Sequence, residues 1–148
     1  MLPFDVTLAP GESPYRQVVY AATKAILSGG MATGDAFPSV RELSQALKIN
    51  PNTAQKVVAE LQRDGLIVVQ PGLGTIVARV PKGGTEEKRR LLADDVEKLA
   101  VEARRLGISR AELQRALDAR WRALFGDDAP APSRQPVRSV VSIPRGRR

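Results

Sequence analysis

The apolar positions of this chain change period several times along its length, and each change marks an element. Phe4, Val6 and Leu8 alternate with other residues, the period of a short strand within an N-terminal arm at 1–12. Ser13-Pro14 then opens a helix, with serine as N-cap and proline at the first helical position, where a missing N–H leaves no bond unmade. Tyr15, Val18, Val19, Ala22, Ala25 and Ile26 form its inward stripe, and Gly29 and Gly30 end it. After the loop "MATGDAFP", the spacing Ser39-x-x-Glu42 predicts a capping box and a short helix burying Val40, Leu43, Ala46 and Leu47. The turn "KIN" leads to a third helix, capped by Asn50 with Pro51 at its first position and stopped at Gly65. Ala54, Val57, Val58 and Leu61 share its apolar face. Two β-branched runs follow, "LIVVQ" and "TIVARV", joined by "PGLG" in the manner of a hairpin.

The pattern resumes after "PKGG" at 81–84, which reads as a linker. Thr85 is placed to cap a helix whose first turn holds Glu86 and Glu87, charges that suit the positive end of the helix dipole. Leu92, Val96, Leu99, Ala103 and Leu106 recur at spacings of four and three, a seam for pairing with another helix, up to Gly107. Ser109-x-x-Glu112 is a second capping box, and the helix it opens carries Leu113, Leu117, Trp121 and Leu124 on one face until Gly126. Amphipathic helices of this length do not fold alone, so these two either pack back on the preceding elements as a core extension or, as the linker favours, pair with a second subunit. From 127 to 148 the composition turns to proline, serine and arginine, that of a disordered tail.

Helix, helix, three-residue turn, helix and hairpin, in that order, make a winged helix-turn-helix at 13–80. The predicted fold is mainly α with one small β-hairpin, and 85–126 is a two-helix C-terminal segment for dimerisation. The outer face of the Asn50-capped helix shows Asn52, Gln55, Lys56, Ala59 and Arg63. That face lacks the mixed Glu and Lys pairs of an ordinary solvated surface. Asparagine and glutamine match the paired donor and acceptor of an adenine edge, and lysine suits guanine or phosphate.

Composition narrows the chemistry further. The net charge of +7 on 148 residues favours a polyanionic partner, and double-stranded DNA fits the fold. No apolar run has the length of a membrane span, and none of the residues is cysteine, which makes a reducing cytoplasm the expected setting. Histidine is absent too, which removes the commonest metal ligand and general base. No catalytic residues, metal site or cofactor are expected.

The stretch from "ILSGGMATGDAFPSVRELSQALKINPNTAQKVVAEL" through "QRDGLIVVQPGLGTIVA" resembles the DNA-binding domain of the GntR family of bacterial transcription regulators. The matching residues are Ser28-Gly29, Gly34-Asp35, Pro38-Ser39-x-Arg41-Glu42-Leu43, Leu61-x-x-x-Gly65-Leu66-Ile67 and Gly72-x-Gly74-Thr75. "Asn50-Pro51-Asn52-Thr53", together with "Phe4-Asp5-Val6" ahead of Tyr15 and Gln17, is similar to the YtrA-like subgroup.

The resemblance implies that Ser39, Arg41, Asn50, Asn52, Thr53, Gln55 and Lys56 contact an operator, and that the wing of Gly72 and Gly74 reaches the minor groove. Many relatives carry arginine where this chain has Pro51 and Gln55, so their base preferences do not transfer. It also implies a repressor that binds an inverted repeat as a homodimer, often at transporter operons. Leu92, Val96, Leu99, Ala103, Leu113, Leu117 and Trp121 would form the interface. The segment 85–126 is too short for the ligand-binding domains of larger relatives, so an effector pocket would have to arise at the dimer interface, or there is none. The rival readings are a non-specific architectural DNA protein and a winged-helix adaptor for a protein partner.

Overall fold

The computed structural model describes residues 1–127, so the predicted tail beyond Asp127 lies outside the described residues. Six α-helices and a two-stranded sheet are present among them: α1 (Pro14–Leu27), α2 (Val40–Leu47), α3 (Pro51–Arg63), β1 (Ile67–Gln70), β2 (Gly74–Val77), α4 (Thr85–Arg89), α5 (Val96–Arg105) and α6 (Arg110–Phe125). A π-helical turn, Arg90–Asp95, joins α4 to α5.

Local chemistry sets most of the helix ends. Ser13 Oγ accepts the N–H of Arg16, and Asn50 Oδ1 accepts that of Asn52 at 2.8 Å. At Ser109 the capping box is complete, with the Ser109 N–H donating to Glu112 Oε2 and the Glu112 N–H to Ser109 Oγ. The backbone bond holds the Glu112 carboxyl below the usual carboxylate range, with the hydroxyl contributing. Two expectations need correction here. At Ser39 only the serine half of the box forms, Oγ accepting from Glu42 N–H at 3.1 Å. At the start of α4 the cap is Gly84, which makes no side-chain bond, and Thr85 is already the first helical residue.

The expected N-terminal strand is also absent. Residues 1–12 are an extended arm whose alternation serves packing: Phe4 is buried, Leu2, Val6 and Leu8 are half-buried, and the Phe4 ring stacks on Phe37 at 6.0 Å. Its end is tied to the Gln17 side chain, which accepts the Ala9 N–H and donates to the carbonyls of Ala9 and Glu12. A strand needs a neighbouring strand, and here a helix side chain takes that place.

One core serves residues 4–77. Val18, Ala22 and Ile26 of α1, Leu43 of α2 and Ala54, Val57 and Leu61 of α3 meet Leu66, Ile67 and Val77 of the hairpin, with Met31 and Phe37 from the intervening loop. Ala46, expected inside, is exposed. The hairpin pairs Ile67 with Val77 and Gln70 with Gly74. β2 stops at Val77, earlier than its β-branched run suggests, although the Ala78 N–H still bonds to Leu66 O in register with the ladder. The loop before α2 covers the other edge of β2: Ala36 bridges Ile76, Phe37 N–H donates to Thr75 O, and Val77 N–H donates to Asp35 O.

α3 ends in a Schellman motif, with Leu66 N–H on Leu61 O and Gly65 N–H on Gln62 O. Gly65 sits at φ +73°, and an added Cβ would lie 2.8 Å from Pro81 Cγ. Gly65→Ala therefore combines a left-handed backbone cost of about 1–2 kcal/mol with displacement of the Pro81 ring. Gly72, at φ +82° with open space around it, carries the backbone cost alone. Denaturant midpoints are expected to fall further for Gly65→Ala than for Gly72→Ala.

Beyond the hairpin the chain contributes nothing to this core. α4, the π turn and α5 run on as one helix, ended by a second Schellman motif with Ile108 N–H on Ala103 O and Gly107 N–H on Arg104 O. A π turn winds more residues per turn than an α-helix and appears as single turns inside α-helices. No helix among the described residues is long and apolar enough to cross a membrane.

Candidate nucleic-acid interface

α3 is the element whose solvent side differs from an ordinary helix surface. Core packing of Ala54, Val57 and Leu61 turns Asn52, Gln55 and Lys56 fully outward, and Thr53 is half-buried beside them. Asn50, just ahead, is exposed, and its side-chain carbonyl is committed to the cap. Arg41 is the second residue of α2, exposed, two residues beyond the Ser39 cap.

Packing of α1 on α3 adds residues the sequence reading passed over. A shallow cavity of about 470 Å³ is lined by Thr53, Lys56, Ala59 and Arg63 of α3 together with Ser13 and Tyr15 at the start of α1. Some forty residues separate Ser13 from Thr53, so only the helix pairing brings them together. Ser39, Arg41, Gly72 and Gly74 stand outside this cavity, on α2 and the wing.

The charges divide along the chain. Every ion pair among the described residues lies after the linker: Glu86–Arg89, Arg89–Asp94, Glu102–Arg105 and Arg122–Asp127. Arg105 donates to Glu102 and holds that carboxyl below its usual range. The cations of the winged helix, Arg41, Lys56 and Arg63 among them, have no carboxylate partner among the described residues. Arg41 thus forms no ion pair within α2.

The wing has a different chemistry. From Gly65 to Ala78 it contains no charged residue. Gly72 and Gly74 adopt φ +82° and +81°, which let the three-residue turn close with Leu73 N–H on Gln70 O, and Leu73 stands 69% exposed at its tip.

The seam residues fall into two groups. Leu92, Val96, Leu99, Leu117 and Trp121 are exposed, Leu92 by 71% and Leu117 by 60%, and the Trp121 ring meets Phe125 edge-on at 5.1 Å. Ala103, by contrast, is 6% exposed and Leu113 is half-buried within a single chain. Ala103 is therefore already covered and drops out of a surface offered to another molecule.

Known proteins share this architecture. The family profile described as "Bacterial regulatory proteins, gntR family" matches residues 14–77. The "HTH-type transcriptional repressor YtrA" of Bacillus subtilis (strain 168) is 33% identical over 100 residues, which cover 67% of this chain and 77% of that protein. Among solved structures, a GntR family transcriptional regulator from Listeria monocytogenes has a TM-score of 0.53 at 26% identity, covering 76% of this chain and 98% of that one. A protein described as a transcriptional antiterminator from Listeria monocytogenes EGD-e has the same fold, with a TM-score of 0.70 at 24% identity over 85% of this chain and 95% of that one.

Proposed function

The chain belongs to the GntR family of bacterial regulatory proteins and is a DNA-binding transcription regulator, and from that premise we propose that it is a repressor that binds an inverted-repeat operator as a homodimer in the bacterial cytoplasm. The observation that carries this reading is the outer face of α3, where amide side chains and unpaired cations stand exposed together. In this reading α3 enters the major groove, with Asn52 and Gln55 toward base edges, Lys56 and Arg63 toward phosphates, and Ser13 and Tyr15 at the flank. Arg41 approaches from α2, and the wing of Gly72 and Gly74 approaches the neighbouring minor groove.

The exposed seam supports the dimer. Leu92, Val96 and Leu99 with Leu117 and Trp121 would be covered by the same surface of a second copy, since two-fold pairing places like patches together. Two heads held by one interface match two half-sites. A selection of genomic fragments retained by the protein is expected to yield an inverted repeat whose half-site centres lie about one helical turn, or a multiple of it, apart. Equal affinity for that fragment and for random DNA at one salt concentration would favour an architectural DNA protein instead. Retention of no fragment would favour an adaptor for a protein partner.

Single substitutions on the two helices test the contact assignment. Arg41→Ala and Asn52→Ala are each expected to weaken operator binding by about 1–3 kcal/mol, with folding and dimerisation intact. Unchanged affinity in both, at fixed salt, removes the major-groove assignment. Lys56→Ala acts differently: affinity should drop for all sequences alike, and the slope of log affinity against log salt should shrink by about one unit.

A further inference from the structure

α1 and α6 lie at opposite ends of the described chain, yet a cavity of about 770 Å³ separates their C-terminal turns. Tyr20, Lys24 and Ser28 line it from the α1 side, and Arg120, Ala123 and Leu124 from α6. It is an open groove between the two helices: every residue that lines it is exposed except Leu124, which is half-buried.

The charge of the cavity is one-sided. Lys24 and Arg120 are its ionisable cations, no carboxylate lines it, and neither cation takes part in an ion pair among the described residues. Two helix C-termini face the same space, each equivalent to about half a negative charge. Backbone N–H groups already satisfy part of that at α1, where Ser28 bonds to Lys24 O and Met31 to Ala25 O. Two full positive charges outweigh the two half charges and leave the cavity net positive by about one unit. The Tyr20 ring, Ala123 and Leu124 give it an apolar side.

We infer that this cavity binds a small organic anion, a carboxylate on a compact apolar body, and that it is the effector site of the regulator. A carboxylate placed between Lys24 and Arg120 ties the DNA-reading head to the last helix of the segment that pairs the two copies. Occupancy then sets the angle at which the heads are held, which is what a two-headed reader of a spaced operator responds to. The site lies within one chain and borders the α6 face of Leu117 and Trp121, with Leu124 shared between them. The binding step stands on the cavity alone; the regulatory step rests on the operator-binding homodimer proposed above.

Calorimetric titration of the full chain at constant ionic strength tests the binding step, with benzoate, inorganic phosphate and benzyl alcohol as probes. Benzoate is expected to bind saturably, one per chain, more tightly than phosphate, which lacks the apolar body, and than benzyl alcohol, which lacks the charge. Lys24→Gln and Arg120→Gln should each weaken benzoate by about tenfold, with circular dichroism unchanged. No benzoate binding at millimolar concentration, or binding that both variants leave intact, overturns the site. Phosphate or benzyl alcohol binding as tightly as benzoate overturns the ligand class. Saturating benzoate should also shift operator affinity in the natural chain and not in the double variant. An unmoved operator affinity overturns the effector role, whereas absence of any operator binding by the natural chain sinks the regulator reading and leaves calorimetry to judge the cavity.

Discussion

A chain ended at Gly83 is expected to fold, to remain monomeric, and to lose about 10²–10⁴-fold in operator affinity. The fold should survive because every member of the main core lies between Phe4 and Val77, and Pro81, which packs near Gly65, is retained. Circular dichroism should still show a helical, cooperatively melting domain. The affinity should collapse because one head then binds one half-site without the effective concentration that a tethered second head provides. Sedimentation separates this from the rival account. A full-length chain that is monomeric at micromolar concentration, or a truncated one that holds the operator as tightly as the whole, would make α4 to α6 an appendage of the head and not a clasp.

Leu61→Ala is expected to have the largest effect on stability, a loss of about 2–5 kcal/mol. Leu61 is fully buried on α3, and its carbonyl also closes the Schellman motif that delivers the chain to β1. The cavity left by truncation would sit where α3 meets the core. Since small domains hold only about 5–15 kcal/mol in total, a shift of that size should be plain in a urea midpoint. Leu117→Ala is the informative partner. At 60% exposure Leu117 contributes little to its own chain, so monomer stability should hardly move while self-association weakens. Equal losses in both variants would mean that α6 belongs to the folding unit of the head.

Much of the helical framework was legible because its causes are local. Ser13, Asn50 and Ser109 cap helices two or three residues away, and Pro14 and Pro51 take the positions where a missing N–H does no harm. The three-residue turn between α2 and α3 follows from the same short-range rules, with Lys48 in the left-handed region and Ile49 N–H on Ser44 O. The outward face of α3 was likewise readable, since the period of Ala54, Val57 and Leu61 assigns every other position by rotation. Where local signals competed, they misled. Thr85 is a better cap than Gly84 by residue type, yet glycine holds the capping position. The alternation of Phe4, Val6 and Leu8 has the strand period without a strand.

The sequence by itself determined where most helices begin and end, which face of α3 points outward, and that a hairpin follows it, because these depend on bonds and rotations within a few residues. Only the tertiary structure decided what lies beside what. It set Phe4 on Phe37, the loop at Ala36 along the edge of β2, Ser13 and Tyr15 next to Thr53 and Lys56, and Lys24 across a cavity from Arg120. It also covered Ala103 and left Leu92 and Leu99 in the open, though all three share one apolar pattern in the sequence. The reason is physical: burial of apolar surface is non-directional, so periodicity says that a face will be covered, and only packing at a distance along the chain chooses the cover.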